Sequence, residues 1–252
     1  MQLKPPIEGF KWNGNTSQLF GVNRELYEPR FGDPGHQGLD IVVPGEKQGY
    51  GTPVMSAHLV PTQCHKTFVD STLRTNGHGV HLSEGLPNGD ILETIYWHLS
   101  DILVKAGDVV DPSQKIGLMG NTGFVFPAPS QSCPHCGTHT HFAARLWRQG
   151  SYVFTDYKSG WIDPVPLMYR PGDRFRMSFT RDLLLGSSGH DVAWLQTILK
   201  IEGFGAEYQP IGRFGPKTMR DVRLLQKKIG IEPSIGYVGP KTRNWLIQNY
   251  SL

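Results

Sequence analysis

The sequence changes character at Asp163-Pro164-Val165-Pro166, and no other feature constrains the fold as much. Before it, short apolar runs are separated by Gly, Pro, Asn and Asp: Leu39–Val43, Val54–Leu59, Gly79–Leu82, Glu93–Leu99, Lys115–Met119 and His139–Leu146. Runs of this length bounded by turn residues read as strands of an antiparallel assembly. After it, a polar stretch reaches Arg181, and then the period becomes helical. Val192, Leu195, Ile198 and Leu199 share one helix face behind Ser187-Ser188-Gly189, and Met219, Val222 and Leu225 share another. Such a switch requires two separate cores.

The helical tail carries a repeat. Ile211-Gly212-Arg213-Phe214-Gly215-Pro216-Lys217-Thr218 recurs as Ile235-Gly236-Tyr237-Val238-Gly239-Pro240-Lys241-Thr242. In each copy Gly-Pro precedes a helical pattern. Proline suits the first helical position because its φ is preset and its missing N–H would be unpaired there anyway. With a helix over about Asp191–Lys200 this gives three short helices. The expected architecture is α+β and multidomain: an antiparallel β-rich domain over 1–170, a linker over 171–181 and a small three-helix bundle over 182–252.

Several classes are excluded. No run approaches the ~18 apolar residues of a membrane helix, so the chain has no membrane span. A net charge of +3 is too small to indicate nucleic acid as partner. The opening Met-Gln-Leu-Lys-Pro-Pro lacks the basic-then-apolar pattern of an export leader. Either the chain is not exported by a leader of its own, or a leader has been removed.

The histidines carry the chemistry. His36 and Asp40 lie across a glycine-bearing turn into a strand, in His36-Gln37-Gly38-Leu39-Asp40. His139-Thr140-His141 places two imidazoles on one strand face, starting ~7 Å apart. Imidazole nitrogens with a carboxylate oxygen suit Zn²⁺, and three protein ligands with a water form a catalytic rather than a structural site. Spacing alone leaves open which of the four residues are ligands.

Residues from about Gln18 to Pro164 resemble the lysostaphin-type zinc endopeptidases, which cut peptide bonds in bacterial cell walls. The segments that carry the resemblance are Gln18-Leu19-Phe20-Gly21, the His36/Asp40 motif, Gly51-Thr52-Pro53-Val54 and Tyr96-Trp97-His98-Leu99-Ser100. They continue through Val104-Lys105-Ala106-Gly107-Asp108-Val109-Val110 and Ile116-Gly117-Leu118-Met119-Gly120-Asn121-Thr122-Gly123 to His139-Thr140-His141-Phe142. The resemblance implies zinc on His36, Asp40 and His141, with His98 and His139 as the unligated catalytic pair. It departs from the family pattern at Ser113, Thr140 and Ala143, where the family usually has Gly, Leu and Glu.

Other candidates are weaker. The connection from Gly123 to His139 is long for the family and is expected to line the substrate groove. Within it, Cys133-Pro134-His135-Cys136 has the spacing of a local disulfide, or of half a structural zinc site completed by Cys64. The disulfide or free-thiol reading is favoured over a second structural ion. His78 and His81 read as structural or surface residues, and Glu84 and Glu93 as solvated strand ends.

Residues 182–250 resemble the three-helix peptidoglycan-binding domain of cell-wall hydrolases, through Gly186-Ser187-Ser188-Gly189-His190-Asp191-Val192, Leu195-Gln196, Leu225-Gln226 and the two repeat copies. Its motifs are mostly fold-forming. Arg213, Tyr237 and Trp245 are candidates for wall contact, Trp245 reading more often as a core residue at its spacing, and the groove itself is not located. Together the resemblances imply a monomeric peptidoglycan hydrolase of the phage-lysin type, or an exported bacterial counterpart, acting at the bacterial cell wall. The alternative is a non-catalytic wall-binding or amidase-activating protein on the same fold.

Overall fold

The computed structural model describes residues 3–250, apart from 71, 73–74, 87–88, 153–158, 169–178 and 205–211. The chain divides into two compact units, Met1–Pro164 and Val165–Leu252. Most of the expected linker, 171–178, lies outside the described residues.

The first unit is an antiparallel sheet. Its strands are β1 (Thr16–Gln18), β2 (Leu39–Ile41), β3 (Pro53–Met55), β4 (Thr62–Phe68), β5 (His78–Gly85) and β6 (Ile91–Ile102). They continue with β7 (Val109–Val110), β8 (Lys115–Met119), β9 (Thr140–Arg148), β10 (Ser151–Tyr152) and β11 (Trp161–Ile162). The main order is β1-β2-β9-β6-β5-β4-β7, with β8 against β3 and β6, and β10 and β11 against β9. Two short helices, α1 (Trp12–Asn15) and α2 (Arg24–Phe31), precede β2.

The long strands β6 and β9 sit at the centre, and residues 92–96 of β6 are buried on both faces. On one face Tyr96 packs on Phe142, its cross-strand partner, with ring centroids 5.2 Å apart. Its hydroxyl accepts from the Ala57 N–H at 2.9 Å, so the phenol is buried without an orphaned oxygen. Burying a ring this size contributes ~1.5–3 kcal/mol. The other face holds Phe20, Ile95, Ala143 and Trp161 with Trp97 beside them. Ala143 thus helps to form an apolar cluster where the resembling family usually has Glu.

The structure departs from expectation at β4, at Glu93 and Glu84, and at the cysteine-held ion, while the favoured local disulfide is present. β4 was not expected, because Thr62-Gln63-Cys64-His65-Lys66-Thr67-Phe68 lacks a clear alternation; a bulge between Cys64 and Lys66 breaks its period. Glu93 is no solvated strand end: it is fully buried within the sheet. Arg145 donates to it through Nε and, at 3.1 Å, through Nη2. Trp147 Nε1 and His81 Nδ1 each lie 2.8 Å from its carboxylate. Glu84 is half-buried and meets His58 Nδ1 at 2.7 Å. Finally, Cys133 and Cys136 form a disulfide, and Cys64 is a buried free thiol on β4. A structural zinc on Cys64, Cys133 and Cys136 is therefore unsupported: two of the sulfurs are bonded to each other and offer no thiolate. Burial pushes the Cys64 thiol above its ordinary pKa.

The Glu93 network sets an acid limit on stability. Burial alone would raise its pKa, but hydrogen bonds from His65, His81 and Arg145 and the guanidinium charge hold it well below the ordinary 4.5. A carboxyl depressed in the folded state stabilises fully above the unfolded value, and that contribution is lost as pH falls below it. Metal-free protein should therefore show a falling urea midpoint as pH drops below 4.5. At neutral pH, Glu93→Gln should cost about 3 kcal/mol by leaving the half-buried Arg145 without its counter-charge. Urea titrations at about pH 7 and about pH 3.5 check both, and an equal midpoint for the variant and the wild type at neutral pH would contradict the network's role.

The second unit contains α3 (Val165–Met168), α4 (His190–Ile201), α5 (Pro216–Lys228) and α6 (Pro240–Tyr250). The three longer helices are those expected, and α5 and α6 start at the two Gly-Pro prolines. Val192, Leu195, Ile198, Val222, Leu225 and Leu246 are buried in their core. The repeat has a structural meaning. Gln196 of α4 donates to Arg213 O at 2.8 Å and Thr218 Oγ1 at 3.1 Å, and accepts from Gly212 N–H at 3.0 Å. Gln226 of α5 does the same to Tyr237 O, Thr242 Oγ1 and Gly236 N–H at 2.7, 3.0 and 2.9 Å. Each repeat copy is the loop that receives a glutamine from the preceding helix. Both glycines have positive φ, 76° and 79°, which only glycine adopts without penalty.

Candidate metal centre and cleft

β2 and β9 pair so that Asp40 lies opposite His141. His36 arrives from the turn before β2, held by hydrogen bonds between Gly21 N–H and His36 O and between His36 N–H and Val22 O. The three side chains converge. His36 Nε2 lies 2.9 Å from His141 Nδ1 and 3.1 Å from Asp40 Oδ1, and His141 Nδ1 lies 3.0 Å from the same oxygen. His36 Nδ1 faces Leu19 O at 3.1 Å and is assigned as the protonated nitrogen, which turns the Nε2 lone pair inward. All three residues are buried.

This donor set fits a zinc ion. Two imidazole nitrogens and one carboxylate oxygen at mutual distances near 3 Å can move apart slightly to tetrahedral coordination and leave a fourth position open. Trp97 stacks on the His141 ring at 5.0 Å and fixes its plane. Gly38 gives the ring room, since a Cβ there would fall 2.7 Å from His141 Nε2 and 2.6 Å from Phe142 O.

His98 and His139 adjoin the triangle, their ring centroids 4.6 Å apart. His139 Nε2 lies 3.7 Å from Asp40 Oδ1. His139 Nδ1 meets Gly137 O at 2.8 Å, and His98 Nδ1 meets Thr122 O at 2.9 Å. A carbonyl only accepts, so each Nδ1 carries the proton and each Nε2 keeps a lone pair. Strict alternation would aim Trp97 and His98 at opposite faces. A φ of 63° at His98 breaks that alternation, and both rings meet His141, at 5.0 and 6.2 Å.

The electrostatics keep the site ready for a cation. Burial would raise the Asp40 pKa, but His36 and His139, with hydrogen bonds from His141 and His36, hold it well below the carboxylate range. Burial, with the neighbouring imidazoles, keeps His98 well below the ordinary histidine value. Burial also pulls His141 down to about 4. Both are neutral imidazoles at physiological pH.

A cleft of about 310 Å³ opens over these residues, lined among others by Tyr27, Arg30, Trp97, His98, Phe124 and Trp161. Phe124 belongs to the long connection expected there. Tyr27 gave no sequence signal. It lies on α2, a polar helix with no buried residue and a proline inside it. Burial, then the Asp40 charge, raises the Tyr27 phenol to about 12 against a hydrogen bond from Gln18, so it stays protonated. In the second unit, Arg213 is exposed, Tyr237 donates its hydroxyl to Asp182, and Trp245 is half-buried 5.9 Å from the Tyr250 ring.

Residues 34–154 match the model of peptidase family M23, and residues 188–246 match that of a putative peptidoglycan binding domain. No curated protein matches the chain. Among solved structures, it is similar to a putative M23 peptidase from Pseudomonas aeruginosa, at 23% identity and a TM-score of 0.41, over 66% of this chain and 50% of that one. It is also similar to the catalytic domain of the antimicrobial peptidase lysostaphin from Staphylococcus simulans, at 23% identity and a TM-score of 0.40, over 62% and 92% of the two chains. A mutant catalytic domain of the prophage-encoded M23 protein EnpA from Enterococcus faecalis matches at 23% identity and a TM-score of 0.38, over 62% and 98%. The chain thus spans half the length of the Pseudomonas protein.

Proposed function

From a chain that carries a peptidase family M23 domain followed by a putative peptidoglycan-binding domain, we infer a zinc endopeptidase that cuts stem-peptide or cross-bridge bonds of bacterial peptidoglycan. The observation that carries this reading is the buried His36, Asp40 and His141 triangle beside two imidazoles with free Nε2 lone pairs. His36 Nε2, Asp40 Oδ1 and His141 Nδ1 would hold the ion. Zinc bound there supplies a Lewis acid for the scissile carbonyl and lowers the pKa of its water toward ~7.

The rest is done by the chain itself. His98 or His139 accepts a proton at Nε2 as water adds to the peptide carbonyl, and the imidazolium returns it to the departing amine. The Gly137 and Thr122 carbonyls hold the two rings in the tautomer this requires. The aromatic walls of Trp97, Phe124 and Trp161 line a slot for an extended peptide. The non-catalytic alternative is disfavoured because all five of these side chains are present. In this reading the protein works at the bacterial wall as a lysin of the phage type, with the helical unit as its anchor on the polymer.

The anchor gives a direct test. Residues 1–164, the whole first unit, should cut a small soluble peptide as fast as the whole chain. On insoluble wall they should be slower by at most ~10²-fold, because tethering raises local substrate concentration. Residues 165–252, the whole second unit, should pellet with purified peptidoglycan and cleave nothing. If that fragment stays in the supernatant while the catalytic fragment pellets unaided, the anchor reading is wrong. Digests of diaminopimelate-linked and glycine-bridged walls, read by their new amino termini, identify the bond.

A further inference from the structure

We propose that His65, His81 and Glu93 form a second, separate zinc site on the sheet. It does not depend on the peptidase reading. One ligand atom from each residue lies within 4.8 Å of the other two. Glu93 Oε1 is 2.8 Å from His81 Nδ1 and 3.1 Å from His65 Nε2. The two carboxylate–imidazole spacings match those of Asp40 to His36 and His141, and the donor set is the same: two imidazoles and one carboxylate.

The strands bring the three together. β5 and β6 pair with Ser83 opposite Glu93 and His81 opposite Ile95, so His81 and Glu93 are diagonal neighbours on one face. β4 pairs Cys64 with Leu82 and Lys66 with His81, which leaves His65 as the extra residue of a bulge. Bulges re-aim side chains, and this one turns His65 onto the Glu93 carboxylate.

The surroundings suit a ligand set. Trp147 Nε1 and Arg145 Nε occupy Glu93 Oε2, which orients the carboxylate as outer hydrogen bonds commonly do behind metal ligands. His81 is 5% exposed, and its Nε2 is buried without a hydrogen-bond partner. Ligation through Nδ1 places the ring proton on that Nε2, an unpaired buried N–H that counts against tight binding. The His65 side chain is 38% exposed, which gives an ion a way in and a solvent-facing fourth position. Arg145 opposes a further positive charge, since its Nη2 lies 3.1 Å from Glu93 Oε1. The site is therefore weaker than the first.

Two imidazoles with a single carboxylate favour Zn²⁺ over Mg²⁺ or Ca²⁺, which prefer oxygen ligands. Glu93 stands four residues along β6 from Trp97, the residue stacked on His141. β6 also lies between the strands of His141 and His81, and at ~4.8 Å per strand spacing this sets their backbones about 10 Å apart, beyond the ~4 Å of a two-metal reaction centre. An ion here joins β4, β5 and β6.

The test is zinc stoichiometry in the full chain, stripped with chelator and titrated with free Zn²⁺. Wild type should bind two ions in two steps. His65→Ala should keep the tight step and weaken the second at least ~10-fold. His36→Ala should lose the tight step and keep the second. His65 is half-exposed, so its variant does not threaten the core. A wild type that binds a single ion, or a His65→Ala protein that binds two as the wild type does, overturns the proposal. Failure here leaves the first site untouched, and loss of the first site leaves this one measurable.

Discussion

His36→Ala is expected to purify as a folded protein that holds no tightly bound zinc and shows no measurable peptide hydrolysis. His36 supplies one edge of the triangle at 2.9 and 3.1 Å, and alanine leaves only two ligands. Zinc is asked to contribute several kcal/mol to the transition state. At about 1.4 kcal/mol per tenfold, the loss should exceed ~10³-fold in kcat/KM. Asp40→Asn should fail nearly as badly, because the amide carries no negative charge to hold a dication between two imidazoles. The measurement is metal content at trace free zinc, where the weaker His65, His81 and Glu93 cluster does not fill. One equivalent of tightly held zinc in His36→Ala would remove that residue from the ligand set.

Spacing made His36, Asp40, His139 and His141 legible as candidates, whereas the choice of ligands among them, and His98 itself, came only from the family resemblance. A period of two predicts that His139 and His141 share a face, and a glycine-bearing turn lets His36 reach back toward Asp40. The structure brings all four together, with His98. What periodicity could not supply is the orientation of His98, which depends on one left-handed residue breaking the alternation of β6. Nor could it supply Tyr27, which lies on a short helix with no fully buried residue and a proline inside it.

The same limits explain the rest of the fold. The apolar strands Lys115–Met119 and Thr140–Arg148 announce themselves, whereas β4 does not, because a bulge at His65 shifts its period midway. Glu93 looked solvated because a charged residue in a strand usually is. Its burial depends on Arg145, which pairs with it across β6 and β9 at a sequence distance no local pattern carries. Cys64 could not be assigned for a similar reason: its place on β4, and the bond between Cys133 and Cys136, are facts of the fold. In the helical unit the repeat was visible as text, but its cause, a glutamine from the preceding helix, emerges only in three dimensions.

His98→Ala and His139→Ala should each keep the tight zinc and lose ~10²–10⁴-fold in kcat/KM. The two rings lie 4.6 Å apart beside the metal triangle, each with Nδ1–H committed to a backbone carbonyl and Nε2 available for a proton. Neither ring belongs to the proposed ligand set, so metal content should match the wild type while the rate falls. That separation distinguishes a proton-transfer role from a ligand role. His98→Gln sharpens the comparison: its side-chain amide can replace a hydrogen bond but cannot carry a proton between water and the leaving amine. It should therefore be as slow as alanine. If both His98 variants hydrolyse peptide at near wild-type rate while His139→Ala does not, His139 alone performs the proton transfer and His98 contributes nothing to the rate. If His139→Ala also keeps its rate, neither imidazole is the base. The proton must then go to another group at the cleft.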